Sequence, residues 1–286
     1  MNKIKTVFAK IFPSSYEWMI AKRYLRGRAK DKFFSVITWF SLIGIAIGVS
    51  VLIAVMSVMN GFREEMLKSV LGINGHIMVY SATGKTIEDY DGIVSQINAN
   101  ADISKHITFV MPLTEGQVML ASQGKSKGGL VRGIKGNDMK QYRLLDENIY
   151  GTDFEKIEDD EVIIGDKLAF VLGLRIGDEI TITSANGNIT AFGIIPRIRT
   201  YRIAGTFNVG MYQYDSSFVF MKLQPSQFYL NMEGAVSHIE IFTDNPENTG
   251  VIKNEIQQMI GSDYRVLDWK DLNASFFNAL NIQKNM

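Results

Sequence analysis

The stretch FFSVITWFSLIGIAIGVSVLIAVMSVMNGF, residues 33–62, contains no Asp, Glu, Lys or Arg. A helix rises about 1.5 Å per residue and the hydrocarbon core of a bilayer is about 30 Å thick, so about 20 apolar residues cross it. A soluble helix of this length normally keeps a charged face, which makes a buried core helix the weaker interpretation. The stretch therefore predicts a transmembrane helix that is long enough to tilt or to continue beyond the far surface.

The charges on either side of this stretch predict its orientation. Residues 1–32 hold nine Lys or Arg and two acidic residues, a net charge of +7, whereas residues 33–286 carry 21 basic and 28 acidic residues, a net charge of −7. Because Lys and Arg near a span stay in the cytoplasm, we expect a cytoplasmic N-terminus and a large C-terminal part on the outside. The apolar run is too long and starts too late for a cleaved signal peptide, so we expect an uncleaved anchor.

Two shorter features flank or lie within the span. The segment SYEWMIAKRYLRGRAKDK, residues 15–32, interleaves aromatic and basic residues, which is typical of a helix at the cytoplasmic interface; a solvated basic tail is the alternative. Inside the span, Gly44 and Gly48 form a GxxxG motif that favours close packing of two helices, although glycine is also common in membrane helices generally.

The remaining residues are numerous enough for one or two folded domains. Strand-like and helix-like segments follow each other without the regular alternation of a doubly wound fold, so we predict an α+β domain over residues 63–270. The predicted strands are residues 76–80, 118–121, 129–134, 161–164, 179–183, 201–207, 217–221, 237–242 and 264–267. The predicted helices are residues 90–97, 137–144, 166–172 (ended by Gly173), a turn at 227–230, residues 250–260, and a segment from residue 272 onward.

The sequence carries no recognisable catalytic motif. It lacks the Walker A, GxSxG, HExxH and GxGxxG patterns, and it contains no Cys, which excludes disulfides, a thiol nucleophile and a thiolate metal site. His76, His106 and His238 are isolated, whereas metal ligands need partners at fixed spacing. We therefore expect a chain that is not an enzyme and that holds no metal or cofactor, and we expect no nucleic-acid partner.

One predicted loop differs from the others in composition. The segment SANGNITAFGIIPRIR, residues 184–199, is long for a connection between strands, and such loops are usually functional or disordered. It combines apolar residues with two arginines, which suits an exposed apolar tip that binds a protein partner. The alternative is a tip that folds back onto its own domain, and composition alone does not decide between the two.

Several motifs are spread along the chain: RYLRGR at residues 23–28, GIAIGV at 44–49, SVMNGF at 57–62, IG at 164–165, LGLRIGD at 172–178, IPR at 195–197, AGTF at 204–207 and FFNALNIQKNM at 276–286. Together they resemble the LolC/LolE family of membrane subunits from the lipoprotein-releasing ABC transporter of bacteria. The resemblance covers nearly the whole chain and is most specific in its first part.

The resemblance implies a fold and a function. It implies a MacB-like periplasmic core of two subdomains, and a subunit that helps to pass lipoproteins from the inner membrane to a soluble periplasmic chaperone. The implied partners are a second LolC/LolE-type membrane subunit, a cytoplasmic ATPase subunit that binds ATP and magnesium, the chaperone, the lipoprotein substrate and inner-membrane lipids.

The resemblance also implies two groups of site residues. The chaperone-binding hook is expected at Phe192, Gly193, Ile194, Ile195, Pro196, Arg197 and Arg199. The positions for helix packing and the lipid cavity within the span are expected at Gly44, Gly48, Val51, Val55 and Met59.

The resemblance is to the first part of such subunits. Residues 271–286 resemble the lead-in to a second span, and family members continue into three further spans, one loop of which engages the ATPase. We therefore expect either a fragment or a truncated or split gene. A single-pass periplasmic binding or regulatory protein of the MacB/FtsX type, or a truncated chain that does not transport, remains the alternative to an exporter subunit.

Overall fold

The computed structural model describes residues 15–25, 32–190 and 193–274. The chain divides into two compact units, residues 1–65 and residues 66–286. The first unit contains helix α1, Ser15–Leu25, and most of helix α2, Lys32–Leu71, which is 40 residues long. Within α2, the apolar stretch Val36–Phe62 contains an 18-residue window with a mean hydropathy of 2.6, none of it buried. Among the described residues, α2 is the one helix that is long and apolar enough to cross a membrane.

The second unit alternates strands with short helices. Its first half contains β1 (Ile77–Ser81), α3 (Tyr90–Ala99), α4 (Ala101–Ser104), β2 (Ile107–Ser122), β3 (Lys125–Ile134), α5 (Gly136–Gln141), α6 (Arg143–Asp146), β4 (Ile149–Tyr150) and β5 (Glu161–Gly165). Its second half contains α7 (Asp166–Leu172), β6 (Glu179–Thr190), β7 (Gly193–Phe207), α8 (Tyr212–Asp215), β8 (Phe218–Lys222), α9 (Leu223–Tyr229), β9 (His238–Thr243), α10 (Thr249–Ile260), β10 (Tyr264–Asp268) and α11 (Trp269–Leu272). Short 3₁₀ turns lie at Phe154–Lys156 and Pro246–Asn248.

The ten strands of the described residues form one mixed sheet. Along its main path the order is β10-β1-β9-β2-β3-β8-β5-β7-β4, and β6 pairs with both β2 and β7. The pairs β3–β8 and β5–β7 are parallel, whereas the remaining pairs are antiparallel. Helices and strands are mixed without a regular βαβ repeat, so the predicted α+β class is confirmed.

Two local signals give the predicted elements their ends. Helix α7 ends at Gly173, which adopts φ of 75°, and the N–H of Leu174 donates to the carbonyl of Ala169 at 2.8 Å. This left-handed cap satisfies carbonyls that the helix leaves free, and glycine adopts it without steric cost. In the β2–β3 hairpin, Gln123 and Gly124 have φ of 48° and 78°, the left-handed pair that a tight two-residue hairpin turn requires.

The structure confirms most predicted elements and lengthens several strands. The helix at 166–172, the β2–β3 hairpin and the helix near 250–260 are confirmed. Strand β2 begins eleven residues before the predicted residue 118, because alternation in its first half is masked by a continuous buried run at residues 110–114. The last described helix, α11, begins at Trp269 rather than at residue 272, and residues 275–286 lie outside the described residues.

Three apolar clusters form the core of the second unit. The first lies between β2, β3, β5 to β8, α7 and α9, and includes Leu120, Ile182 and Tyr201. The second is rich in aromatic residues and lies between β2, β3, β5, β7, β8 and the short helices α5, α6 and α8. The third packs α3, α4 and α10 against β1, β9 and β10. The first cluster supports the strands from which the candidate site projects.

We expect Gly165→Ala to destabilise the domain strongly, because a Cβ at this position would lie 2.0 Å from the backbone carbonyl oxygen of Asp215. Overpacking against backbone costs about 1–3 kcal/mol or more. Gly128→Ala is the matched control, since no atom lies within 4 Å of the place that its added Cβ would occupy, and its change should stay within about 0.5 kcal/mol. Urea denaturation followed by circular dichroism measures both, and equal stability of the two variants would contradict the packing described at Gly165.

Candidate functional site

Strands β6 and β7 form a long hairpin, here called the arm (residues 179–207). The pairing runs without interruption from Glu179–Arg202 to Ser184–Arg197 and resumes from Asn188–Ile195 to Thr190–Gly193. The prediction of a loop over residues 184–199 is therefore wrong: the segment is mostly paired strand. The β-branched residues on both sides of the tip favour strand, whereas Asn-Gly and Pro residues within the segment favour a loop in the sequence.

An irregularity at Pro196 explains why this segment does not show a simple strand pattern. Residues 185–187 of β6 face the single residue Pro196 of β7, so the register shifts between Ser184 and Asn188. Proline has no N–H to donate to a ladder, and within sheets it occurs at edges and bulges. The bulge therefore divides the arm into a base that continues the main sheet and an outer half.

The base of the arm is fixed by a third strand. Strand β2 pairs with β6 from Val118–Ser184 to Ala121–Thr181. Among the described residues, no strand other than β7 pairs with β6 beyond Ser184. The outer half of the arm is therefore a two-stranded ribbon whose backbone edges are free of neighbouring strands within the described part of the chain.

Arg197 attaches the arm to helix α9. Its guanidinium donates to the carbonyl oxygens of Phe228 and Tyr229 and, at 3.0 Å, to Oδ1 of Asn231, and its Cζ lies 5.8 Å from the centre of the Phe228 ring. A cation at the carbonyl end of a helix is favourable because the last carbonyls lack intrahelical partners. Arg197, one of the predicted hook residues, thus attaches the base of the arm to α9.

Two tyrosines and the second arginine reinforce this attachment. The hydroxyl of Tyr229 donates to the carbonyl of Arg197 at 3.3 Å, and burial, with a smaller contribution from Tyr201, raises the pKa of Tyr229, so the donor stays protonated. The rings of Tyr201 and Tyr229 meet edge to face at 5.9 Å. The guanidinium of Arg199 lies 5.1 Å from the centre of the Tyr201 ring while remaining exposed. Of the two predicted arginines, Arg199 is the one that presents charge at the surface.

The arm exposes large apolar side chains. Ile195 is 60% exposed and Ile198 is 68% exposed, and Pro196 beside them is also exposed. Ile198, Thr183 and Met119 lie opposite one another on three adjacent strands and so share one face, on which Met119 is 48% exposed. Neighbouring exposed apolar side chains of this kind mark a surface for a protein partner.

The predicted hook residues fall into four groups. Ile195, Pro196 and Arg199 are exposed on the arm, and Arg197 anchors it. Gly193 and Ile194 lie in β7, opposite Thr190 and Ile189. Phe192 lies outside the described residues. Sequence reasoning missed two exposed residues, Met119 and Phe228. Phe228 is 58% exposed and lies beside Arg197. The alternation of side chains in β2 could have indicated Met119, but no local signal indicated Phe228.

The five predicted positions in the span share one face of α2. Gly44, Gly48, Val51, Val55 and Met59 are separated by three or four residues, so they form one stripe along the helix. Apart from the neighbouring backbone of α2 itself, no atom of the described chain lies within 4 Å of a Cβ built at Gly44 or Gly48, and the three larger residues are exposed.

Within the described ranges, no group of three or more His, Cys, Asp or Glu residues could hold a metal ion. Asp138 is a strongly perturbed carboxyl, since burial raises its pKa to about 6, yet it lies at the start of the short helix α5. The arrangement at the arm can hold a partner through apolar contact and charge.

A family model for the MacB-like periplasmic core domain matches residues 38–259. The lipoprotein-releasing system transmembrane protein LolC of Neisseria meningitidis is 28% identical over 275 residues, which cover 95% of this chain and 65% of that protein. LolE of Haemophilus influenzae is 25% identical over 80% of this chain and 55% of its own length. The periplasmic region of MacB from Actinobacillus actinomycetemcomitans aligns with a TM-score of 0.44 at 11% identity, over 73% of this chain and 98% of that structure.

The match over most of the chain defines the class: the chain belongs to the proteins with a MacB-like periplasmic core domain. Within this class it is similar to the LolC and LolE proteins over 80–95% of its length, which confirms the resemblance found in the sequence. The chain spans less than two thirds of the length of these relatives.

We expect Arg197→Met to loosen the base of the arm. The substitution keeps the apolar stem but removes the hydrogen bonds to α9, and a charged hydrogen bond contributes about 1.5–3 kcal/mol. Amide hydrogen exchange of residues 179–184 and 195–201 should accelerate about tenfold or more, as measured by mass spectrometry. Arg143→Met, which removes an exposed pair with Glu147, is the control and should leave the arm unchanged. Unaltered protection in Arg197→Met would show that α9 does not hold the arm.

Proposed function

We propose that this chain is a membrane subunit of an ABC exporter of the lipoprotein-releasing type, and that its arm holds a soluble periplasmic lipoprotein chaperone. The observation that carries the proposal is the arm itself, which exposes Ile195 next to its bulge and Ile198 at its base and is held to α9 by Arg197. The relatives named LolC and LolE support the same system.

In this proposal the chain is anchored in the inner membrane with its N-terminus in the cytoplasm. The net charge of +7 over residues 1–32 precedes the apolar helix, and the net charge of −7 follows over residues 33–286. Basic flanks on one side of a span favour retention of that side in the cytoplasm. Residues 63–270 then lie in the periplasm, where the arm meets a soluble partner.

The arm suits a partner that carries an apolar hollow. Ile195 and Ile198 lose contact with water when they enter such a hollow, and burial of each side chain contributes about 1.5–3 kcal/mol. The exposed guanidinium of Arg199 adds positive charge beside them, which favours an acidic rim on the partner. A chaperone for acylated proteins needs an apolar hollow for its cargo, so it matches this surface chemically.

The span has its own role in the proposal. The stripe Gly44, Gly48, Val51, Val55 and Met59 packs against a second LolC/LolE-type subunit, and its apolar members line a cavity for the lipoprotein's acyl chains. Small residues four apart allow the close approach of helix backbones in lipid. A separate cytoplasmic subunit binds ATP and magnesium and supplies the energy, so this chain has no catalytic step of its own.

We expect Ile195→Glu to weaken chaperone binding at least about tenfold, because an unpaired carboxylate would be buried at the contact. The measurement is a calorimetric titration of the full chain in lipid nanodiscs with the purified periplasmic lipoprotein chaperone. Val251→Glu is the matched control, because Val251 is 68% exposed on α10 and its substitution introduces the same charge. Its binding should equal that of the unmodified chain.

Each other outcome of this titration is informative. Saturable binding that Ile195→Glu leaves unchanged would contradict the arm as the binding surface. The absence of binding by the folded, unmodified chain would contradict chaperone capture and favour a periplasmic regulatory role of the MacB/FtsX type. Circular dichroism of Ile195→Glu separates lost contact from lost folding, since an exposed position should leave the domain folded.

A further inference from the structure

A buried cluster of charges lies between the end of helix α2 and the central strands. Arg132 of β3 donates from Nε to Glu115 of β2 at 2.6 Å, and its Nη2 lies 3.3 Å from Oε1 of Glu240 on β9. Arg132 is 4% exposed and Glu240 is fully buried. His238 Nε2 lies 3.4 Å from the same oxygen of Glu240. The proposed function of the arm makes no use of this cluster.

The cluster is costly to bury and is held charged by its own members. Burial opposes the charge on Arg132, but the carboxylates of Glu240 and Glu115 outweigh it and raise the pKa of Arg132. Burial likewise opposes ionisation of Glu240, yet Arg132 and His238 lower the pKa of Glu240 overall. Apolar residues of similar volume often stabilise a core as well as a buried ion pair does, so a role in positioning is the better explanation for these charges.

Arg132 also binds the segment that follows α2, residues 72–76, here called the helix-exit segment. Its Nη1 donates to the carbonyl of Ile73 at 3.3 Å and its Nη2 donates to Oδ1 of Asn74 at 2.9 Å. The N–H of Gly75 donates to Oε2 of Glu240 at 3.0 Å. Three consecutive residues, the first of them two positions after the end of α2 at Leu71, are therefore bound to the cluster.

The packing of the helix-exit segment leaves little freedom. Gly72 has φ of +41°, and a Cβ there would lie 2.7 Å from the Tyr214 ring. A Cβ at Gly75 would lie 2.7 Å from the Cβ of Glu240 and 3.0 Å from a backbone nitrogen. The side-chain amide of Asn74 donates to the hydroxyl of Tyr214 at 2.8 Å. The segment is thus held by shape as well as by hydrogen bonds.

The other side of the cluster leads to the arm. Glu115 and Arg132 are directly opposite in the β2–β3 ladder, and three residues later Val118 of β2 pairs with Ser184 of β6. Ser184 in turn lies opposite Arg197, the anchor of the arm. The path from the helix-exit segment to the arm therefore consists of one ion-paired cluster and one continuous strand.

The chain also leaves the sheet beside this cluster. The N–H of Trp269 donates to the carbonyl of His76 at 3.0 Å, directly after the last described strand. A cleft of about 460 Å³ lies between the helix-exit segment, the charged cluster and α11. Its lining includes Asn74, Glu115, Arg132, His238, Trp269 and Asn273. The segments that enter and leave the sheet thus meet at the same cluster.

We infer that Arg132 is a positioning residue that makes the helix-exit segment, strand β2 and the base of the arm one rigid body. The inference does not depend on which partner the arm binds. It assigns to the buried charges a mechanical role: a displacement of the end of α2 is carried to the base of the arm instead of being absorbed in a flexible joint.

Asn74→Ala tests the inference, because it removes the side-chain hydrogen bonds of Asn74 with Arg132 and Tyr214 while leaving both ion pairs of Arg132 intact. Hydrogen exchange is measured by mass spectrometry on the full chain in nanodiscs. We expect exchange of residues 72–76 to accelerate about tenfold and that of residues 181–184 about threefold or more. Helix α10, which packs in the third apolar cluster away from the arm, should keep its protection.

Two comparisons keep the test decisive. Glu115→Gln weakens the link between cluster and β2 and should produce the same pattern, which covers the case in which Asn74→Ala does not fold. Lys105→Ala removes an exposed pair with Asp102 and should change neither segment. Acceleration confined to residues 72–76 would overturn the inference, because the arm would then be uncoupled. Equal acceleration throughout, including α10, would also overturn it, because the cluster would then contribute only general stability.

Discussion

The arrangement of the second unit depends on the backbone hydrogen bonding of strand β2, which is 16 residues long. A strand has two edges, and β3 occupies one edge of β2 from residue 113 to residue 122. The other edge is shared: β9 pairs with residues 107–113 and β6 pairs with residues 118–121. This change of neighbour places the buried charges and the base of the arm a few residues apart on one strand.

The same constraint explains which features the sequence predicts. Helix α7 and its end at Gly173 are local, since capping and apolar spacing lie within ten residues, and the β2–β3 turn is equally local. The arm is not local. Asn186, Gly187 and Pro196 favour a loop by themselves, and only the pairing of β6 with β7 around a bulge makes the segment a ribbon. Local propensity therefore singled out residues 184–199 but predicted a loop where the chain forms paired strands.

The candidate site shows the same division between local and distant information. Apolar and basic composition indicated residues 192–199 as a surface for a partner, and Ile195 is indeed exposed there. The role of Arg197 could not be predicted, because its acceptors on Phe228, Tyr229 and Asn231 are more than 30 residues away in sequence. Arg197 attaches the arm to α9, whereas Arg199 stays exposed, and this difference depends on tertiary packing.

The central claim is that the exposed apolar side chains of the arm bind a periplasmic lipoprotein chaperone. Site-specific photo-crosslinking in living cells tests it most directly, with a photoreactive amino acid placed at Ile198 on the arm or at Val251 on α10, both 68% exposed. We expect position 198 to form a crosslinked adduct whose second protein mass spectrometry identifies as the chaperone, and position 251 to form none. An adduct with the chaperone from position 251 alone, or adducts of equal yield from both positions, would contradict it.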